Sequence, residues 1–308
     1  MTHCVNRGIL LVAHVICGFY GGTMKGKVCL VTGATGGIGK VTALELARQG
    51  ATVVIIGRHP LRTEGVTEMI KRETGNPNVS YILADLSKQV DVRRAAAEFL
   101  SKHHQLHILV NNAGAFYNSR QESADGIELT MALNHLAYFL LTDLLLDTIK
   151  ASAPARIINV SSEAHRMGAM DFNDLEGKRK WGGWRMYGRS KLANILFTKE
   201  LARRLAGTDV TVNCLHPGVV STGFAANNGF FGIAMRKLMD LGSISAEKGA
   251  ETTLYLATSH EVEHLTGLYF DKKKPRESSP ASHDQTAAEK LWQWSETKVK
   301  QINEQQAA

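Results

Sequence analysis

Tyr187-Gly-Arg-Ser-Lys191 sets a phenol and an ammonium four residues apart, which on a helix is about one turn and one face. An ammonium beside a phenol favours the phenolate and draws its pKa down from about 10. A phenol so tuned can donate a proton to a carbonyl oxygen, or accept one in the reverse direction. Ser161-Ser162 closes an apolar run with two hydroxyls that can hold an oxygen or cap a turn. Asn134 puts an amide inside an otherwise apolar helical pattern, where it is mildly unfavourable and so invites an explanation. Each feature alone is common by chance. Their order along the chain carries the weight: glycine-rich turn, Asn in a helix, Ser at a strand end, Tyr and Lys on a helix.

The glycine-rich turn is Thr32-Gly-Ala-Thr-Gly-Gly-Ile-Gly39, between a first strand and a first helix. Gly33, Gly37 and Gly39 let the backbone turn sharply and approach a pyrophosphate at a helix N-terminus. A dinucleotide fold carries its reader of the adenosine ribose about 20 residues on, an Asp or Glu where the ribose is unphosphorylated. Here the strand ends Ile56-Gly57-Arg58-His59 with no carboxylate. Arg58 offers a guanidinium suited to a phosphate, with Lys40 adding charge, which favours NADP over NAD. A solvated surface Arg is the plainer alternative. Asn111-Asn112-Ala113-Gly114 closes the fourth strand, and His216-Pro-Gly-Val-Val-Ser-Thr222 follows the sixth. The backbone and hydroxyls of the latter suit a nicotinamide carboxamide. Histidines show no metal-ligand pattern, and His165 and His216 read as structural or rim residues.

The elements that must position these groups alternate strictly. Strands are expected at 28–32, 52–56, 79–84, 107–110, 156–161, 210–215 and 268–270. Helices fall at 40–49, 63–74, 89–102, 126–150, 184–205 and 246–257. Alternating β and α predicts an α/β fold, a single doubly wound parallel sheet with helices on both faces. The domain spans 24–296, and a polar tail at 297–308 is expected to fray. Residues 1–23 form an apolar leader in which 8–20 is too short to span a bilayer comfortably. It reads as a dispensable segment before Met24, a signal-like stretch or a weak anchor.

Apolar residues make up 44% and charged residues 21% of the 308, which excludes a disordered chain and a polytopic membrane protein. The net charge of +7 is scattered, with one basic run at 272–274 and no nucleic-acid motif, so no nucleic-acid partner is expected. Four cysteines without metal-ligand spacing point to reduced thiols. Between Ser162 and Tyr187 lie Met167, Met170, Phe172, Trp181 and Trp184, and the stretch 224–241 holds Phe230, Phe231, Met235, Leu238 and Met239. These read either as a hydrophobic pocket with a lid or as ordinary packing.

Taken together over residues 25–272, the motifs resemble the short-chain dehydrogenase/reductase family. The resemblance implies a Rossmann-type sheet and hydride transfer between NADP(H) and a carbonyl or alcohol. It puts Gly33, Gly37 and Gly39 on the pyrophosphate, Arg58 on the 2′-phosphate, Asp85 on the adenine, and Asn112 and Gly114 near the adenosine. Thr35, Ile38, Leu86, Ala113, Pro217, Gly218 and Val220 join them as cofactor-binding residues, with Thr222 near the carboxamide. Ser162 then orients substrate, Tyr187 is the acid/base, Lys191 binds ribose and lowers the phenol's pKa, and Asn134 supports a relay water. More narrowly, Arg156-Ile-Ile-Asn-Val-Ser-Ser-Glu-Ala-His165, Asp174-Leu175, Ser190-Lys-Leu-Ala-Asn-Ile-Leu-Phe197 and the 216–222 segment resemble the retinol dehydrogenase-like branch. That branch implies a small apolar substrate, retinal-like or another lipophilic carbonyl or alcohol. The expected location is cytoplasmic, with membrane association through 8–20 as the alternative; helices 126–150 and 184–205 form a homodimer interface in many relatives of the family, whereas a membrane-associated branch can stay monomeric. The alternative function is a catalytically silent NADP sensor on the same fold, against which the intact Ser, Tyr, Lys and Asn argue.

Overall fold

A computed structural model describes residues 23–220 and 243–307, with side chains to 301. Residues 1–22, Thr222 and the stretch 224–241 lie outside the described residues. The strands are β1 Val28–Thr32, β2 Thr52–Gly57, β3 Val79–Leu83, β4 Ile108–Asn111, β5 Ala155–Val160, β6 Val210–His216, β7 Tyr269–Asp271 and β8 Lys274–Pro275. They form one sheet in the order β3-β2-β1-β4-β5-β6-β7-β8. Every neighbouring pair is parallel except β7 and β8, which are antiparallel.

Side chains alternate across a strand, and the apolar runs therefore serve two layers at once. Leu30, Val54, Ile82, Leu109, Ile157 and Val212 face one core, shared with Val92, Phe99, Leu145, Phe197 and Leu201. Cys29, Val31, Val53, Ile55, Val110 and Leu215 face the other, shared with Val41, Leu46, Ile70 and Leu254. The first core is covered by α3 (Gln89–Lys102), α4 (Leu129–Ala151) and α5 (Gly183–Arg204). The second is covered by α1 (Gly37–Arg48), α2 (Pro60–Thr74) and α6 (Ala246–Thr258). Helix α4 is long and apolar enough to cross a membrane, but 72% of its apolar window is buried inside the protein, as a core helix requires. Cys29 and Cys214 are free and buried, and burial pushes both thiols up to about 12, which makes them inert at neutral pH.

Three departures from the pattern expected of the sequence have physical causes. Helix α1 begins at Gly37, inside the glycine-rich turn rather than after it. Within α4, Ala132–Leu136 is a π-helical turn, and this widened turn is where Asn134 sits. The expected frayed tail continues to Ala307 as α7 (Gln285–Ala307). Its buried stripe of Ala287, Ala288, Leu291, Trp292, Ser295 and Val299 repeats at helical spacing inside a polar sequence. Trp292 packs on Phe139 of α4 and Phe197 of α5, with the Arg204 guanidinium 4.0 Å above its ring. Helix α7 thus covers part of the surface on which the resemblance would pair two copies.

Candidate active site

Strand order reverses between β1 and β4, and the turns leaving the two strand ends diverge there to open a crevice. A cavity of about 1040 Å³ occupies it along the C-terminal edge of the sheet. Gly33, Thr35, Gly37, Ile38, Gly39, Arg58, Asp85, Leu86, Asn112, Ala113 and Gly114 line one part, and Ser162, Tyr187, Lys191, Pro217, Gly218 and Val220 the other. The structure thus brings together every residue the resemblance assigned to catalysis or cofactor binding except Asn134, which stands behind the wall, and Thr222, which lies outside the described residues.

The nucleotide side is built by backbone. Gly33 has φ +64°, and a side chain there would stand 2.7 Å from Ala113 Cα. A side chain at Gly39 would stand 2.6 Å from the Gly33 carbonyl oxygen and 2.5 Å from Asn112 Nδ2. At Gly36, which caps α1 without a side-chain hydrogen bond, nothing lies within 4 Å. The first N–H groups of a 12-residue helix therefore face a cradle open to an anion. Thr32 locks the arrangement: its hydroxyl accepts the N–H groups of Asn112 (2.9 Å) and Ala113 (3.0 Å) and donates to the Val110 carbonyl (3.2 Å). Asn112 donates its amide to the Thr32 carbonyl at 2.8 Å, so it fastens the turn from behind. Asp85 is occupied in its own turn, accepting the Ser87 hydroxyl at 2.7 Å. Arg58 is joined on the rim by His59 and Arg62. Lys40 is not among the lining residues. It acts on Glu247 instead, and Arg62 supplies the second cation.

The opposite side is built by side chains. Tyr187 is 8% exposed and Lys191 3%. Lys191 Nζ donates to the Val160 carbonyl at 3.0 Å and lies 5.6 Å from the centre of the Tyr187 ring. The Ser162 hydroxyl hydrogen-bonds the phenol, which lowers its pKa, but burial outweighs this and holds the phenol above its ordinary value. Burial likewise brings the Lys191 ammonium down to about 7. The expected lowering of the phenol by the lysine is thus not what the protein's own groups produce. Desolvation penalises both charged forms and dominates.

Asn134 donates to the Ala115 carbonyl (3.0 Å) and the Ser190 hydroxyl (3.1 Å) and accepts the Ala115 N–H (2.9 Å). Its amide is spent on tying the segment after β4 to α5. Its Oδ1 and Lys191 Nζ lie 3.2 and 3.5 Å from the place a Gly114 side chain would take, which brings them to the same point of the wall.

Of the aromatic and Met residues expected around the substrate, Trp184 lines the cavity, its ring tilted 43° against that of Phe116 at 4.7 Å. Met170, Phe172 and Trp181 pack instead against Met186, Leu192 and Leu196, the ordinary packing alternative. The groups that hold this region carry no sequence motif. Arg189, fully buried, donates to the carbonyls of Ala169 (2.9 Å) and Leu175 (2.8 Å). Glu128, also fully buried, accepts Trp181 Nε1 at 3.2 Å and the Met131 N–H at 2.8 Å. A side chain at Gly188 would meet the Ala164 carbonyl at 2.7 Å, so the turn after Ser162 lies backbone to backbone on the residue after Tyr187. The Gly in Tyr-Gly-Arg-Ser-Lys is the legible part of that contact.

The described residues contain no group of three or more His, Cys, Asp or Glu able to hold a metal ion. The family model of short chain dehydrogenases matches residues 27–229. Human retinol dehydrogenase 13 is 43% identical over 277 residues, covering 88% of this chain and 83% of that one. Mouse retinol dehydrogenase 12 is 43% identical over 269 residues, covering 87% and 85%. A short chain dehydrogenase from Burkholderia cenocepacia, solved in complex with NADP, superposes with a TM-score of 0.64 at 28% identity, covering 80% of this chain and 96% of that one. With the crevice, its glycine cradle and its Ser, Tyr and Lys already in place, these matches make this chain a member of the short chain dehydrogenase family of oxidoreductases, similar to the retinol dehydrogenases.

Proposed function

We propose that the protein is an NADP(H)-dependent oxidoreductase acting on an apolar aldehyde, ketone or alcohol, retinal-like in character. The observation that carries this reading is the continuity of one cavity from the open α1 N-terminus to the Ser162 and Tyr187 hydroxyls. The residues fit a dinucleotide: Gly36 leaves a cradle no side chain fills, and the cavity's roughly 1040 Å³ exceeds the range of ordinary small-ligand pockets. Gly33, Gly37, Ile38 and Gly39 would hold its pyrophosphate, Asp85 and Leu86 its adenine, and Lys191 its nicotinamide ribose. Arg58 with Arg62 would hold the 2′-phosphate. The carboxylate among the cavity's lining residues, Asp85, is engaged by Ser87, which supports a phosphate reader over a ribose reader. The solved relative bound to NADP supports the same choice.

Bound there, the nicotinamide supplies or takes up the hydride. The Ser162 hydroxyl and the Tyr187 phenol hold the substrate oxygen between them, and Tyr187 gives it a proton in reduction. A phenol kept protonated by burial is suited to donate, and donors already aimed at a developing oxyanion lower the barrier without reorganisation. Lys191, brought down to about 7, can exchange a proton near neutral pH. Exposed Trp184 and Val219 on the cavity rim favour an apolar substrate, in agreement with the retinol dehydrogenase relatives. Purified protein assayed with NADPH and NADH over carbonyls from short aldehydes through ketosteroids to retinal should turn over long apolar aldehydes with NADPH. Cofactor binding with no turnover on any carbonyl of that range would refute this reading.

A further inference from the structure

His165 belongs to the 3-10 turn Glu163–Met167 that follows Ser162, and it is fully buried, with its ring 5.0 Å from that of Tyr269 in β7. Its two nitrogens have unlike partners. Nδ1 lies 2.7 Å from the Ser162 carbonyl oxygen, and Nε2 lies 2.9 Å from the Ser279 backbone nitrogen. A carbonyl only accepts and an N–H only donates, so Nδ1 carries the hydrogen and Nε2 the lone pair. One neutral tautomer satisfies both contacts and no other protonation state does.

We propose that His165 is the positioning residue of Ser162: a single imidazole tautomer, held between the Ser162 carbonyl and the Ser279 amide, fixes the end of β5 against the segment 277–279 and so sets where the Ser162 hydroxyl stands. The inference rests on the reading of Ser162 and Tyr187 given above. The Ser162 carbonyl also accepts the His165 backbone N–H at 3.0 Å, so its peptide is held at one angle by two donors of one residue. The Ser162 hydroxyl accepts the Ala164 N–H at 3.2 Å and reaches the Tyr187 phenol. A second tie runs parallel, from Arg166 Nη2 to the Glu277 carbonyl at 2.8 Å. Beneath the turn, Gly168 and Gly188 bring its backbone onto α5, so a shift of the turn is transmitted to Tyr187.

A proton added at Nε2 would face the Ser279 N–H, two donors pointed at one another, and the tie to 277–279 would open. The charged and titratable groups acting on the ring are Glu163 and Arg166 on its own turn, His216 at the end of β6 and Tyr269 on β7; Glu277 and His283 belong to the segment it ties, and Tyr187 and Lys191 to the helix against which its turn packs. Glu163, engaged by Arg166 (2.7 Å) and by the Tyr269 hydroxyl (2.8 Å), still favours the charged imidazole, as does the Ser162 carbonyl. Burial, with Arg166 and His216 adding to it, outweighs the Ser162 carbonyl and Glu163 and leaves the imidazole pKa lowered, which keeps the tie closed at neutral pH and opens it in acid.

Three variants of the full chain test this. In His165→Asn the amide nitrogen takes the place of Nδ1 and can still donate to Ser162. In His165→Gln the amide takes the place of Nε2, and the Ser162 carbonyl loses its side-chain donor. Ser279→Pro deletes the N–H, and besides it only a hydroxyl that makes no hydrogen bond, at a residue whose φ of −62° already suits proline. His165→Asn loses the tie to Ser279 and His165→Gln the donor to Ser162, so each should lose at least tenfold in kcat with NADPH Kd within twofold. Ser279→Pro should lose as much, and the acid limb of kcat that His165 sets in the wild type should be absent from all three variants. A kcat within threefold of wild type in Ser279→Pro, or one acid limb common to wild type and Ser279→Pro, would overturn the proposal. Independently of turnover, nitrogen NMR of His165 should show the Nδ1–H tautomer at pH 7, and the Nε2–H tautomer or an imidazolium there would overturn it. Tyr187→Phe, assayed alongside, separates the two readings: full turnover in that variant removes the assignment of Tyr187, whereas its loss beside an unmoved acid limb removes only the role of His165.

Discussion

The two ends of the cavity are built in different ways. The nucleotide end is made of backbone: glycines at 33 and 39 that admit no side chain, an uncapped helix start at Gly36, and a Thr32 hydroxyl binding the β4 turn. The substrate end is made of side chains brought from far apart in sequence, with Asn134, His165 and Arg189 each spent on another segment's backbone. Damage at the first end should therefore appear in cofactor affinity. Damage at the second should appear in turnover, with affinity retained.

The largest expected effect concerns what the substrate end costs in stability. Lys191 is buried with its pKa brought from 10.5 down to about 7. Between those pH values the unfolded chain binds more protons than the folded one, so stability rises with pH across the window, and below pH 7 the cost is present in full. Lys191→Met should be the more stable protein at pH 6, by at most about 5 kcal/mol, and the gain should vanish towards pH 10.5. Denaturant titrations at pH 6 and pH 10 read this directly, and a gain independent of pH would contradict it.

The next effect sets one glycine from each end against the other. Gly188→Ala would drive a methyl to 2.7 Å from the Ala164 carbonyl. Displacing the Ser162 turn from Tyr187 should cut kcat by roughly 100-fold while leaving NADPH Kd within twofold. Gly39→Ala, with its methyl 2.6 Å from the Gly33 carbonyl, should weaken NADPH binding by about tenfold or more and destabilise the fold by ~1–3 kcal/mol. If both variants moved the same parameter, the division between the two ends would be wrong. The smallest effect sharpens the nucleotide end. Arg58→Asp should shift preference from NADPH towards NADH by roughly 10- to 100-fold, the worth of one charge-assisted phosphate contact. An unchanged ratio would pass the role to Arg62.

The same contrast governs what is legible in the sequence. The backbone-built end is legible because glycines at fixed spacing after a β-branched and apolar strand have a narrow use: a tight turn that admits no side chain. The strand starts of β1, β2 and β3 agree with the expected ones, and Arg58 lies where the missing carboxylate pointed. Tyr187, Lys191 and Ser162 are legible as types in order, but the struts that hold them are not. Arg189 and Glu128 look like surface charges until the fold buries them, and His165 reads as structural or rim with no partner in view until Ser279, 114 residues further on, is folded against it. Lys40 is near the phosphate site in sequence, yet helix α1 turns it towards Glu247. Helix α7 is hard to see because its apolar stripe is thin among Gln, Lys and Glu, although positions 287, 288, 291, 292, 295 and 299 carry the helical period.

Binding and proton transfer should separate most cleanly at Tyr187, the residue on which the substrate end converges. The direct measurement is NADPH binding by fluorescence titration and steady-state turnover on a long apolar aldehyde, for wild type and Tyr187→Phe side by side. Loss of the phenol's proton should reduce kcat by roughly 100- to 10,000-fold with NADPH Kd within twofold. Turnover by Tyr187→Phe within a few-fold of wild type would contradict the assignment of the proton donor and, with it, the division of the cavity into a binding end and a chemical end.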